Sequence, residues 1–259
     1  MRTVVILLLS AFALSSPALA ESPKDWADCA SNEPDRSIAG CDKIIARAKD
    51  TKANLAIAYS NRGDDYQSKG EHDKAIADYT QSIKLNPAEP GPRRNRGWSH
   101  GQKHEYDLAL DDYNQTLKLK ASYPGIYYDL GWTYAAKKDH ARALNFYNRA
   151  IELDKTNPNI YNDRGSTLAE LGDLDKALAD FDKSIALNAD YALGHANRAW
   201  VLAAKNKHDE AVAEYDQAIR LEPGIPERLN DRGYSLIRTE QYDRAIADLD
   251  EALKLKGAS

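Results

Sequence analysis

A 34-residue unit recurs six times between Ala56 and Ser259, with no insertion or deletion. Its eighth residue is Gly63, Gly97, Gly131, Gly165, Ala199 and Gly233. Its twentieth is Ala75, Ala109, Ala143, Ala177, Ala211 and Ala245, and its thirtieth is always Leu, from Leu85 to Leu255. A fixed period of this size is the mark of a solenoid, in which each unit buries its apolar side only against its neighbours. The expected fold class is therefore all-α, an α-solenoid of six tandem helical hairpins. Such arrays bind along an extended surface and do not enclose a reaction centre.

The units run over residues 56–89, 90–123, 124–157, 158–191, 192–225 and 226–259. Each reads as two antiparallel helices. Pro90, Pro124, Pro158 and Pro226 open the first helix, where a missing N–H is harmless, and Asn157 is placed to cap one of them. Gly70 and Gly172 stand at the turn between helices, where positive φ is wanted. Asp73, Asp107, Asp175, Asp209 and Asp243 follow, near the positive end of the second helix dipole. The small eighth and twentieth residues are expected to face one another and let the two backbones approach. Larger residues surround them: Tyr79, Tyr113, Tyr147, Phe181 and Tyr215 recur in the second helix.

This pattern resembles the tetratricopeptide repeat: small residues at the eighth and twentieth positions, an aromatic at the twenty-fourth, and a Pro near the thirty-second in Pro87 and Pro223. The Trp26-Ala27-Asp28-Cys29 and Ile38-Ala39-Gly40-Cys41 segments are similar to exported bacterial members. The family implies a right-handed superhelix that binds proteins or peptides, with the first helix of each unit lining the concave groove. The sequence carries no nucleophile elbow, phosphate loop or paired catalytic carboxylate, so neither catalysis nor a cofactor is expected. One subgroup clamps chaperone C-terminal carboxylates, but its clamp positions fall here on Ser60, Asp64, Asn95, Gly125 and Asp129, which are not basic.

Residues 1–20 differ from the rest. Arg2 is followed by an apolar run from Val4 to Leu14, then by Ser15-Ser16-Pro17 and the small pair Ala18 and Ala20. This is the layout of a secretory signal peptide with cleavage near Ala20. The apolar core is shorter than the about 20 residues of a membrane-spanning helix, so the expected protein is periplasmic or secreted, with no stable membrane anchor. Residues 21–55 then read as a helical cap. Its two cysteines, Cys29 and Cys41, are expected to form a disulfide in an oxidising compartment. A metal site is the rival reading, but no His accompanies them.

Charge is patterned inside the units. The seventh residue is Arg62, Arg96, Arg164, Arg198 or Arg232, and sixteen residues on stands Asp78, Asp112, Asp180, Glu214 or Asp248. The third unit has Leu130 and Phe146 at the same two places. Positions that change together point to contact, so these are expected to be structural ion pairs of a planar guanidinium with a carboxylate. A row of cations gripping an anionic ligand is the weaker alternative.

If the first helices line a groove, the sixth residue forms a polar ladder: Asn61, Asn95, Asp129, Asp163, Asn197 and Asp231. Amides both donate to and accept from an extended backbone. The acidic rungs favour a protein or peptide segment carrying Lys or Arg. The ninth residue adds Trp98, Trp132, Trp200 and Tyr234, which offer apolar or cation–π contact. Packing between neighbouring units is the alternative for both sets.

No catalytic constellation is legible. His72, His140 and His208 share the seventeenth position and read as packing residues. His100 and His104 have metal-ligand spacing, but no third ligand accompanies them. A net charge of −5 without a basic stripe argues against nucleic acid. The sixth unit repeats the apolar spacing of internal units through Ile246, Leu249, Leu253 and Leu255, so self-association through the C-terminal end is a second expectation. The leading function is a non-catalytic scaffold of the cell envelope that holds an extended segment. The alternative is a spacer that binds through its ends with the groove unoccupied.

Overall fold

The computed structural model describes residues 23–47 and 49–257. The signal-peptide expectation for residues 1–20 lies outside them. Fourteen helices and no strand occur among the described residues. They are α1 (Pro23–Cys29), α2 (Pro34–Arg47), α3 (Lys52–Ser68), α4 (His72–Leu85), α5 (Pro90–Gln102), α6 (Tyr106–Leu119) and α7 (Pro124–Ala136). The rest are α8 (His140–Leu153), α9 (Pro158–Glu170), α10 (Leu174–Leu187), α11 (Ala192–Ala204), α12 (His208–Leu221), α13 (Pro226–Arg238) and α14 (Tyr242–Gly257). No described helix is long and apolar enough to cross a membrane.

The chain divides into two compact units, one ending at Ser99 and one beginning at His100. In the first, α1 and α2 form a hairpin closed by a disulfide between Cys29 and Cys41. Both cysteines are buried beside Ile44 and Ala58, so the cap shares a core with α3. Gly40 allows the close approach: a Cβ there would lie 2.4 Å from the Cys29 nitrogen. The α3–α4 hairpin follows, with Tyr79 fully buried between its helices.

The second unit repeats one pattern. Helices α7 and α8, α9 and α10, α11 and α12, and α13 and α14 pair as hairpins, and each second helix also touches the next first helix. The first helices α7, α9, α11 and α13 touch in succession. Asn157 caps α9 by accepting from the Asn159 N–H.

The eighth-residue glycines face the twenty-fourth side chain, and in the sixth hairpin the expected twentieth alanine as well: a Cβ on Gly233 would lie 3.3 Å from Leu249 and 3.7 Å from the Ala245 carbonyl oxygen. A Cβ on Gly63 would lie 2.7 Å from the Tyr79 ring, on Gly131 2.6 Å from Tyr147, and on Gly165 2.9 Å from Phe181. The glycine thus makes room for the twenty-fourth ring. The twentieth alanines are buried on their own account. The turns inside the six repeat hairpins all pass through a left-handed residue. Gly70 and Gly172 supply it in two hairpins, while His104, Lys138, Asn206 and Glu240 adopt φ near 60° in the others.

Candidate functional site

The repeated arginines bind carboxylates within the fold. Arg62 donates through Nε and Nη2 to both oxygens of Asp78 at 2.7 Å. Arg164 does the same to Asp180 (2.7 and 2.6 Å) and Arg232 to Asp248 (2.7 and 2.6 Å). The bridging bond to the carboxylate raises the pKa of all three arginines, against the opposing effect of burial. Arg198 divides its donors, Nη1 reaching Glu214 at 2.8 Å and Nε reaching Asp182 at 2.6 Å. Arg96 and Asp112 lie on opposite sides of the Ser99/His100 division; on its own side, Arg96 donates to Thr80 Oγ1 at 3.0 Å. In the third hairpin Leu130 is buried and Phe146 stacks on Tyr134 at 5.4 Å, so an apolar pair stands where the ion pair stands elsewhere.

A further contact escaped the sequence reading. The twenty-fifth residue of the preceding hairpin takes another donor from the same arginine: Thr80 from Arg96, Asn148 from Arg164, Asp182 from Arg198 and Asp216 from Arg232. Arg164, Arg198 and Arg232 therefore each lock two hairpins as well as two helices. A cavity of about 400 Å³ opens beside Arg164, lined also by Leu144, Leu168 and Lys176. With its donors so committed, the arginine row offers little to an anionic ligand.

The sixth-position ladder lies along the first helices and is largely knitted into them. In the first unit, Asn61 donates to the Cys29 carbonyl (3.2 Å) and Asn95 to Asp64 Oδ1 (2.8 Å). The Tyr79 hydroxyl donates to the same Asp64 oxygen at 2.6 Å. Asp64 is exposed as a residue, yet protein atoms crowd its carboxylate and raise its pKa. A cavity of about 260 Å³ opens between Cys29, Ser37, Asn61, Asp64 and Asp65.

In the second unit, Asp129 is buried. Asp163 accepts from the Tyr128 hydroxyl (2.7 Å) and from Asn162 Nδ2 (3.0 Å). Burial raises the Asp163 pKa. Burial, followed by the nearby Asp163 charge, pushes the Tyr191 phenol up to about 12. Asn197 donates to Asn162 Oδ1 (2.9 Å) and to Ser166 Oγ (3.4 Å). A run of hydrogen bonds thus joins α7 to α9 and α9 to α11. Asp231 on α13 is exposed and makes no hydrogen bond or ion pair among the described residues. Its pKa is raised by crowding of the carboxylate and then by Glu227.

The ninth-position rings meet the seventeenth position of the preceding hairpin. Trp98 packs edge-on to His72 (5.5 Å), Trp132 to Tyr106 (6.4 Å) and Tyr234 to His208 (5.8 Å). Trp98 and Trp132 are half-buried, whereas Trp200 is 50% exposed and Tyr234 57%. His100 and His104 turn to different partners, Glu105 at 2.6 Å and the Tyr106 hydroxyl at 2.7 Å. No group of three metal-ligating side chains occurs among the described residues.

The missed partners were Asn162 at the fifth position and Asp64 and Ser166 at the ninth. Their signal was a polar residue at a ninth position otherwise held by rings: there the next rung has a side chain to bond.

Repeat-family models match the chain at residues 56–88, 162–226 and 226–259, each described as a tetratricopeptide repeat, and at 133–172 as a TPR repeat. No curated protein matches it. Among solved structures, the APC/C hetero-tetramer Cut9–Hcn1 aligns with a TM-score of 0.77 and 16% identity over 91% of this chain and 46% of that one. The chain thus spans about half the length of that relative. The pilF protein of Pseudomonas aeruginosa aligns with a TM-score of 0.71 and 17% identity, over 81% of this chain and 96% of its own. YrrB, described as a TPR protein with an unusual peptide-binding site, gives 0.55 and 22%, over 69% and 92%. At these identities the likeness is one of fold.

Proposed function

This chain belongs to the tetratricopeptide repeat family, and on that premise we propose that it is a non-catalytic scaffold of the cell envelope, holding an extended protein segment against its first helices. The observation that carries the reading is the face of α7, α9, α11 and α13. It joins amides, carboxylates and partly exposed rings on helices that touch in succession. The Asn and Asp side chains that bond one another there hold the face rigid, and rigidity lowers the cost of binding an extended segment. The peptide-binding site named for YrrB is in keeping with this use of the fold. The location in the envelope rests on the leader-like residues 1–20 and on the disulfide between Cys29 and Cys41, a bond at home in an oxidising compartment. Mature protein beginning at Glu21 supports that location; an intact Met1 in purified material rejects it.

Site-specific photo-crosslinking tests the function. A photoreactive residue at Trp200 or Tyr234 should capture a partner in the native host, while one at Leu108 or Ala213 on second helices should not. Capture at the second-helix positions alone would overturn the reading. The exposed strip of Tyr242, Ile246 and Leu253 on α14 (56, 59 and 69% exposed) favours a second reading, self-association through that helix. Sedimentation that stays monomeric at high concentration removes it.

A further inference from the structure

We infer that the junction of α11 and α13 is a cation subsite, taking an Arg or Lys side chain of a bound extended segment between Trp200, Tyr234 and the Asp231 carboxylate. The inference rests on the proposal that the first-helix face is the binding face, and it names the place and the chemistry.

The argument starts from register. Two rungs show that the sixth residue of one hairpin meets the ninth of the hairpin before it: Asn95 bonds Asp64 and Asn197 bonds Ser166. Asn197 also bonds the fifth residue, Asn162. The same register places Asp231 beside Trp200 and Ala196, and neither serves it. Ala196 has no polar side chain, and the Trp200 indole N–H, a donor that suits a carboxylate, makes no hydrogen bond to Asp231 among the described residues. The stitching that joins α7 to α9 and α9 to α11 therefore stops, and an acid is left facing solvent between two aromatic residues.

Three further observations agree. Trp200 and Tyr234 are the exposed members of their set, and Ile237, one turn beyond Tyr234, is 43% exposed. Asp231 and Tyr234, three apart on α13, share a face. The charge there is under-compensated: Glu227, one turn before Asp231, has only Lys256 at 3.7 Å, and Lys205 at the end of α11 is held by Asp175. Crowding and repulsion that raise the Asp231 pKa are the condition that a ligand cation would relieve.

The chemistry follows from the three side chains. A guanidinium presents a flat face to a ring and two donors to a carboxylate, so Arg should bind better than Lys. The site differs from a carboxylate clamp in charge and in residue type, and selects the opposite ligand.

The test is an amide and indole NMR titration of the whole chain with a capped Ala-Ala-Arg-Ala-Ala peptide and its Gln-substituted twin. The Trp200 indole signal is identified by its loss in Trp200→Phe. The Arg peptide should shift that signal and the Asp231 and Tyr234 amides, and the Gln peptide should not. Asp231→Asn should weaken binding about fivefold, and Trp200→Ala by a similar factor. Both sites are exposed, so the rest of the spectrum should be unchanged. Glu251→Gln, an exposed acid on α14, should leave affinity within about twofold. Equal shifts with both peptides, or unaltered binding by Asp231→Asn, would overturn the subsite. Shifts confined to other first-helix residues, such as Asp64 and Asp65, overturn it while leaving the wider binding face standing. No shift on any first helix overturns both.

Discussion

The exchange of an ion pair for an apolar pair in the third hairpin can be reproduced in the fourth. Asp180 has an 8% exposed side chain, and both of its oxygens are held by Arg164, whose side chain is 24% exposed. Arg164→Leu would strip the buried carboxylate of two charge-assisted hydrogen bonds and its counter-ion. Breaking one side of a buried pair typically costs about 3–5 kcal/mol. The guanidinium is partly wet, so the lower end, about 3 kcal/mol, is the expected loss, about a hundredfold in the local folding equilibrium. Adding Asp180→Phe removes the stranded charge and restores the Leu and Phe arrangement that Leu130 and Phe146 already show. Of the two rings that receive Phe146, Tyr127 has its counterpart in Tyr161, while Tyr134 is replaced by Leu168. The double variant should therefore recover to within about 1 kcal/mol of the parent without matching it. In a repeat array the effect is local, so hydrogen exchange of α9 and α10 amides is a sharper assay than one global melting curve. Equal loss of protection in the single and double variants would refute the exchange logic, because it would mean that Asp180 is not what suffers when Arg164 is removed.

Three other perturbations carry signed expectations. Glu240 holds φ 61° in a turn where Gly172 holds 82°, so Glu240→Gly should stabilise the last hairpin by about 1 kcal/mol in urea unfolding, and destabilisation would contradict it. Replacing Cys29 and Cys41 with Ser should weaken the cap by up to about 3 kcal/mol in the chain-entropy picture, seen as faster exchange in α2 and α3 with α13 and α14 unaffected. Burial raises the folded-state pKa of Asp163 above its unfolded value, so its contribution to stability is present below about pH 4 and lost as pH rises through the folded pKa. Urea unfolding of Asp163→Asn against the parent should show the difference moving in favour of Asn between pH 4 and pH 7; movement in favour of Asp would show the carboxylate to be better solvated than its neighbours imply.

Strictly periodic features were legible because each keeps one job. The Arg and acid positions could be paired from one chain alone, since Leu130 and Phe146 change both ends at once. The glycines were read in part: two small residues twelve apart suggest that they face one another, as Gly233 and Ala245 do, but the ring of Tyr79 or Tyr147 is what fills the space that the glycine leaves. Nothing in the residue types of Lys138 or Glu240 asks for positive φ; the length of the turn imposes it, as the glycines in the same place show. The twenty-fifth-position partners were hidden because Thr80, Asn148, Asp182 and Asp216 share no single chemistry, only the ability to accept a hydrogen bond.

The same reasoning says where to look for binding in a repeat array. A position that repeats faithfully is occupied by the fold, since every hairpin needs it for the same contact. Position nine is not faithful: it is Asp64, Trp98, Trp132, Ser166, Trp200 and Tyr234. The polar members accept from the next rung, whereas Trp132 and Trp200 make no hydrogen bond to theirs among the described residues. Trp132 precedes Asp163, which finds Tyr128 instead. Trp200 precedes Asp231, and there the fifth residue is Ala196, so no substitute is at hand. Two departures from the period therefore coincide on neighbouring helices, each tolerable alone and together leaving one carboxylate without a partner among the described residues. Among the described residues Asp231 is the ladder member without a partner, at an exposed junction, and that is the place where the proposed ligand cation is to be sought.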